Sequence, residues 1–208
     1  FLPDFAALDE PTLARTAAIF IASPSNPEGA VADLAYWKGL FELSDRHGFV
    51  ILADECYSEI YPGETPPPGA LQAAQALGRS FERLLVFNSL SKRSGLAGLR
   101  SGFVAGDAWL IAAYRDLRSN AGPQLSGPLQ SVSAHAWGDE AHVEANRAVY
   151  RANMKIAAEE LGNRTWFRLP EAGFFLWLET GAGEETALRL WRHAALRVVP
   201  GAYLANAA

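Results

Sequence analysis

The chain has 208 residues, half of them hydrophobic, and a net charge of −5. This composition is typical of a globular protein with a sizeable core, and it excludes a disordered chain. No block of basic residues and no apolar run near the roughly 20 residues of a membrane span is present, so neither nucleic acid nor a membrane is an expected partner.

In the first half, short apolar runs alternate with helical patterns. The runs 18–22, 49–53, 84–87 and 102–106 read as buried strands. Between the first two, Asp33 is a plausible N-cap of an amphipathic helix that ends before a glycine. Continuous apolar strands that alternate with helices predict an α/β fold, with a mostly parallel sheet covered by helices on both faces.

The pattern changes after residue 127. Residues 128–161 are predicted to be helical, with a break near Gly138. Two strands joined by "PEAG" are then expected to form a hairpin, followed by a helix over 184–195 and a strand at "RVVPG".

We therefore predict three parts. Residues 1–127 belong to a large domain, residues 128–161 are linking helices, and residues 162–208 begin a smaller α+β domain. Because the chain starts without Met and stops just after a strand-like run, we expect it to be a piece of a longer protein.

Polar side chains follow three of the predicted strands at the point where each strand ends. They supply an amide, a carboxylate, a phenol, two hydroxyls and an amine: Asn26, Asp54, Tyr57, Ser89, Ser91 and Lys92. Ligands of open α/β sheets bind outside the carboxyl ends of the strands, so these groups are candidates for one site.

Arg100 precedes the fourth strand instead of following it. The connection 88–101 is short for a crossover helix and rich in glycine, which favours an antiparallel return of the chain. An antiparallel strand starts where its neighbour ends, so we expect Arg100 at the same edge as Lys92.

Each of these residues has an ordinary alternative when it is taken alone. An aspartate at a strand end usually caps a turn, "SNP" is usually a turn, and a lysine among Gly and Ser is usually solvated. Cys56, the only cysteine, is expected to be a buried filler, and the histidines lack metal-ligand spacing. Arg93 is a weaker candidate for substrate contact.

Three motifs together resemble class I (fold-type I) pyridoxal-phosphate-dependent aminotransferases. They are "SPSNPEG", "ADECYSEIY" and "SLSKRSGLAGLRSG", and their order and spacing agree with that family. The resemblance continues through "GFFLWL" to "VPGAYLA". It implies the fold-type I architecture and the cofactor pyridoxal 5′-phosphate.

The resemblance also implies the catalytic roles. Lys92 would form the Schiff base with the cofactor aldehyde and then move the substrate proton. Asp54 would keep the pyridine nitrogen protonated, so that the ring can act as an electron sink.

The other matching positions would hold the cofactor. Asn26 and Tyr57 would hydrogen-bond the ring 3′-oxygen. Ser89, Ser91 and Arg100 would hold the phosphate, with Arg100 as a forked, permanently charged partner.

A finer resemblance is to the N-succinyldiaminopimelate aminotransferase group of lysine biosynthesis. It implies transfer of an amino group between glutamate and N-succinyl-2-amino-6-oxopimelate by a cytoplasmic homodimer. Aspartate-type or aromatic substrates, a fold-type I C–S lyase and a pyridoxal-sensing regulator are the alternatives. The family's substrate-carboxylate arginine would lie beyond Ala208, so residues 1–208 alone are expected to be inactive.

Overall fold

The computed structural model describes residues 2–122 and 124–204. Phe1, Pro123 and the last four residues of the predicted 162–208 domain lie outside the described part. The described residues form four strands: β1 (Ala18–Ala22), β2 (Val50–Asp54), β3 (Leu84–Ser89) and β4 (Gly102–Gly106). The helices of the described ranges are α1 (Glu10–Arg15), α2 (Leu34–His47), α3 (Ala70–Ala76), α4 (Leu90–Arg93), α5 (Ala108–Asn120), α6 (Gly127–Gly138), α7 (Ala141–Leu161) and α8 (Gly183–Ala194).

The strands build one sheet in the order β1-β2-β3-β4. β1, β2 and β3 are parallel, and β4 runs antiparallel to β3, with Ser89 opposite Gly102. The predicted antiparallel return is confirmed. It places Arg100 at the edge where β3 ends.

The core lies on one face of this sheet. Alternate strand residues such as Ile19 and Ile51 point to this face and pack against Trp37 of α2 and Ala73 of α3. The predicted ends of α2 are confirmed, since the Asp33 carboxylate accepts a hydrogen bond from the first turn and Gly48 adopts a positive φ. Helix α3 was not predicted from the sequence.

The sheet is flanked by helices on both faces, as predicted, and the face opposite the core is only partly covered by the described residues. Phe87 of β3 meets Tyr114 of α5, with ring centroids 6.4 Å apart. Phe20 of β1, which points the same way by strand alternation, is 62% exposed. The apolar run of β1, predicted to be buried, therefore has one buried face and one exposed face.

The helical stretch breaks as predicted, between α6 and α7. The predicted hairpin is confirmed only in part: its two segments meet at an isolated antiparallel bridge between Phe167 and Leu178, without forming continuous strands in the described residues. The "PEAG" backbone also bonds to the turn after β1, through Ala172 N–H to the Gly29 carbonyl (3.0 Å). The predicted strand at 197–201 is wrong, since these residues are irregular up to the 3-10 turn at Gly201–Tyr203.

No helix in residues 2–122 or 124–204 is both long enough and apolar enough to cross a membrane.

Candidate active site

The turn after β1 presents Asn26 at the carboxyl edge of the sheet. Buried Ser23 and half-buried Ser25 fix the turn, because their hydroxyl oxygens accept hydrogen bonds from Ala32 N–H (3.0 Å) and Ala30 N–H (2.9 Å). The Asn26 amide then donates to the Tyr57 hydroxyl oxygen at 3.0 Å. Two predicted site residues, 31 positions apart, are therefore in direct contact.

Tyr57 lies in the turn after β2, with its ring buried against Phe174 at a centroid distance of 5.5 Å. Burial raises the pKa of the Tyr57 phenol, the Asn26 hydrogen bond opposes that rise, and the nearby Asp54 carboxylate adds to it. Since the Tyr57 oxygen accepts from Asn26, its own proton remains available for a further acceptor.

Asp54 is the last residue of β2, and its carboxylate is half-buried. One oxygen accepts from Cys56 N–H at 3.0 Å, which shapes the turn that carries Tyr57. Burial, and then the Asp54 carboxylate, raise the pKa of the Cys56 thiol to about 12, while the Lys92 ammonium opposes this rise. Cys56 therefore lies within electrostatic reach of both Asp54 and Lys92.

Lys92 lies on the one-turn helix α4, which begins directly at the end of β3. Ser89 caps this turn by accepting from Ser91 N–H at 3.1 Å, and fully buried Leu90 anchors it. The Lys92 Nζ lies 5.2 Å from the centroid of the Phe174 ring and 5.8 Å from that of Tyr57. The amine is thus held over two aromatic faces at the edge where Asp54 lies.

The predicted phosphate group of residues lies at the same edge. The Ser89 Oγ is 2.8 Å from the Ser91 Oγ, and Ser89 pairs with Gly102 across the sheet. Arg100 precedes this pair in a left-handed conformation (φ 53°), and its exposed guanidinium donates one hydrogen bond to the Ala97 carbonyl (2.9 Å). Two hydroxyls and a guanidinium therefore flank the start of the lysine helix.

The aromatic wall of the site was missed by sequence reasoning. Phe174 contacts both Tyr57 and Lys92, and Tyr150 of α7 stacks on it with ring centroids 5.3 Å apart. Phe174 is 82 residues beyond Lys92, and it is brought in by the docked "PEAG" segment. No local pattern signals such a contact, although "GFFLWL" contributed to the family resemblance.

Arg93, the weaker candidate for substrate contact, is engaged by other parts of the chain. Its side chain is 4% exposed and donates to the carbonyls of Ala136 (3.0 Å) and Trp137 (3.4 Å) at the end of α6. It also forms an ion pair with Glu140. The guanidinium is therefore buried against the end of α6.

The donor set fits the chemistry of pyridoxal phosphate. An amine suits the aldehyde, a carboxylate the ring nitrogen, a phenol–amide pair the ring oxygen, and hydroxyls with a guanidinium the phosphate. In the described residues no group of three His, Cys, Asp or Glu side chains is arranged to hold a metal ion. The fold and this edge therefore define an α/β protein whose donor set suits a phosphorylated aldehyde cofactor.

Comparison with known proteins places the chain in a family. The sequence model described as "Aminotransferase class I and II" matches residues 1–205, and the chain belongs to this family. Members of the family are dependent on pyridoxal phosphate, in agreement with the fold, the cofactor and the enzyme class expected from the motifs.

Two curated relatives illustrate the range of the family. The 4-dedimethylamino-4-oxo-anhydrotetracycline transaminase OxyQ of Streptomyces rimosus is 35% identical over 91% of this chain and 52% of its own length. The LL-diaminopimelate aminotransferase of Aquifex aeolicus is 31% identical over 97% of this chain and 52% of its own length. The chain spans about half the length of these relatives.

Solved structures agree with the fold. A Neisseria meningitidis aminotransferase matches 98% of this chain and 52% of its own, with a TM-score of 0.94 and 46% identity. A probable N-succinyldiaminopimelate aminotransferase from Thermus thermophilus matches 91% of this chain and 51% of its own, with a TM-score of 0.78 and 30% identity.

Proposed function

We propose that the protein is a pyridoxal-phosphate-dependent transaminase in which Lys92 binds the cofactor covalently. The observation that carries this proposal is the position of the Lys92 amine, held over the Tyr57 ring while Asn26 hydrogen-bonds the same phenol. Family membership supports it. The cofactor supplies the electron sink that makes removal of an amino-acid α-proton accessible.

Lys92 and the residues around its amine have separate proposed roles. With the cofactor bound, the Lys92 amine would take the α-proton of the substrate and deliver it to the former aldehyde carbon of the cofactor. Asp54 would keep the ring nitrogen protonated. The Tyr57 phenol, its pKa raised mainly by burial, donates to the ring oxygen, and Asn26 orients it.

The phosphate is assigned to the hydroxyls of Ser89 and Ser91 and to the Arg100 guanidinium. Ser89 and Ser91 already lie within hydrogen-bond distance of each other, so one anion could accept from both. The guanidinium adds charge that does not depend on pH in the physiological range.

For substrates we propose an amino acid of the diaminopimelate type and a 2-oxo acid partner such as 2-oxoglutarate, with N-succinyl-2-amino-6-oxopimelate as the finer candidate. The names of the Aquifex and Thermus proteins support the diaminopimelate class. OxyQ shows that a similar sequence also serves a different acceptor class. A cytoplasmic homodimer and the division at residues 127 and 161 belong to the same proposal.

The test is borohydride reduction of the intact protein with pyridoxal phosphate, with any flanking chain retained. We expect one pyridoxyl adduct, on Lys92 by peptide mass mapping, and none in Lys92→Ala. Lys155→Ala is the matched control, because Lys155 is exposed on α7 beside Glu159 and should leave the adduct unchanged. An adduct on another lysine, or none, would overturn the assignment.

A second assay separates transaminase from lyase. A transaminase and a C–S lyase would both form the lysine adduct that borohydride traps, so trapping does not distinguish them. A transaminase, however, turns over its amino donor only when a 2-oxo acid is present. Release of pyruvate and ammonia without an acceptor would replace the transaminase proposal with a C–S lyase.

A further inference from the structure

The lysine-bearing turn α4 is too short to hold itself in place. It spans four residues, Leu90–Arg93, and its capping bond runs from Ser94 N–H to the Leu90 carbonyl (3.1 Å). The carbonyls at the end of a helix need partners from outside it. Whatever binds the Lys92 and Arg93 carbonyls therefore sets where the lysine side chain starts.

Asn146 of α7 supplies that partner. Its Nδ2 lies 3.3 Å from the Lys92 carbonyl oxygen and 3.3 Å from that of Arg93. One amide group carries two hydrogens, so both bonds can form together. The backbone of the lysine is thereby attached to the long helix α7.

Arg93 makes the reciprocal contact. Its buried guanidinium donates to the Ala136 and Trp137 carbonyls, lies 5.2 Å from the Trp137 ring centroid and pairs with Glu140. A cation at a helix C-terminus is favoured by the exposed carbonyls there. Arg93 thus fixes α4 to the end of α6.

The two contacts leave the lysine side chain free to face the site. Neighbouring residues on a helix project about 100° apart, since a turn takes about 3.6 residues. Arg93 enters the helical layer while Lys92 extends toward the Phe174 and Tyr57 rings.

We infer that Arg93 and Asn146 are positioning residues that clamp the Lys92 backbone between α6 and α7 and so aim its amine at the cofactor. The inference rests on the proposed function. Neither side chain contacts the reacting atoms, and each acts through the backbone of Lys92 and Arg93.

The matched variants are Arg93→Lys, Asn146→Ala and, as control, Arg147→Lys. Arg147 is also buried and ion-paired, but it holds the Glu59 carbonyl (3.0 Å) and the Glu59 carboxylate (2.6 Å). Lysine keeps the charge in both arginine variants but lacks the fork that reaches several acceptors.

Two readouts separate positioning from general stability. In the protein without cofactor, amide hydrogen exchange across 90–96 should rise at least about fivefold in Arg93→Lys and Asn146→Ala, whereas Arg147→Lys should instead raise exchange across 59–63. In the protein with pyridoxal phosphate, the fraction of bound cofactor that borohydride fixes on Lys92 should fall about tenfold in the first two variants, because a small misplacement of a reacting group costs much of its effective concentration.

The outcomes are distinguishable. If wild type forms the Lys92 adduct and both clamp variants fix the same fraction of bound cofactor, the clamp inference is wrong while the proposed function stands. If wild type forms no adduct, the proposed function falls and the inference falls with it. Asn146→Ala removes only a half-buried amide, so it decides the matter even if Arg93→Lys does not fold.

Discussion

The sheet region, residues 18–106, and the C-terminal region, residues 162–204, both contain short apolar runs that look like strands. In the first region the runs pair, and Trp37 lies fully buried behind them. In the second, the described residues form one isolated bridge, and Val199 remains 64% exposed. An apolar run becomes a strand only where its backbone groups find partners, and the second region uses its backbone to dock onto the first.

The largest expected effect is on the free energy of unfolding, and it is tested by substituting one tryptophan in each region. Trp37→Ala should lower the free energy of unfolding by about 3–5 kcal/mol, because it empties a packed site. Trp191→Ala, on α8 and 57% exposed, should change it by no more than about 0.5 kcal/mol. Urea unfolding of the intact protein measures both. A large loss in Trp191→Ala would show that another segment or copy covers α8 and would break the comparison.

Gly29 lies where the C-terminal region contacts the sheet region, so a substitution at Gly29 tests this contact. Its φ is +69°, and an added Cβ would lie 2.4 Å from both the Ala172 carbonyl oxygen and the Pro170 Cβ. Gly29→Ala should therefore cost about 3 kcal/mol, from the strained backbone and the clash together.

The control for Gly29 is Gly181→Ala, where φ is +72° and no such neighbour lies within 4 Å in the described chain. It should cost only about 1 kcal/mol, the conformational part alone. Equal losses at the two glycines would contradict the docking of the "PEAG" segment.

The alkylation rate of Cys56 tests the environment of the candidate active site. With a pKa of about 12 in the folded chain, against an ordinary value of 9.0, the thiolate is scarce at pH 8. Alkylation by iodoacetamide should be at least about 100-fold slower in the folded than in the urea-unfolded protein, since only the thiolate reacts. The folded rate should still be rising with pH above 9. A plateau near pH 9 would show that the thiol is neither buried nor influenced by Asp54.

The smallest effect is at a helix cap. Asp107 accepts from Trp109 N–H (2.8 Å) at the start of α5 and from Arg83 N–H (2.7 Å). Asp107→Ala should cost about 1 kcal/mol at pH 7, whereas Asp116→Ala, exposed on the same helix, should cost almost nothing.

The pH dependence of that cap follows from its ionisation. The hydrogen bond from Arg83 N–H is the main effect that lowers the pKa of Asp107 below the ordinary 3.8, so the folded state favours the carboxylate. Its contribution is complete above pH 3.8 and disappears as the pH falls through the lower folded value. The difference in melting temperature between wild type and Asp107→Ala should therefore decrease only in acid.

The sequence determined much of this protein by itself. The four strands of the sheet, α2 with its Asp33 cap, the return of β4 and the edge shared by Asp54 and Lys92 follow from apolar runs, caps and loop lengths, which are local signals. The family followed from three motifs in register.

Only the tertiary structure decided the rest. That Phe174 forms the wall of the site, that Arg93 is buried against α6, and that "PEAG" docks at Gly29 depend on contacts between residues far apart in the chain. Which of these contacts form depends on the backbone and side-chain partners that packing brings within reach. A pattern of neighbouring residues in the sequence does not encode that choice.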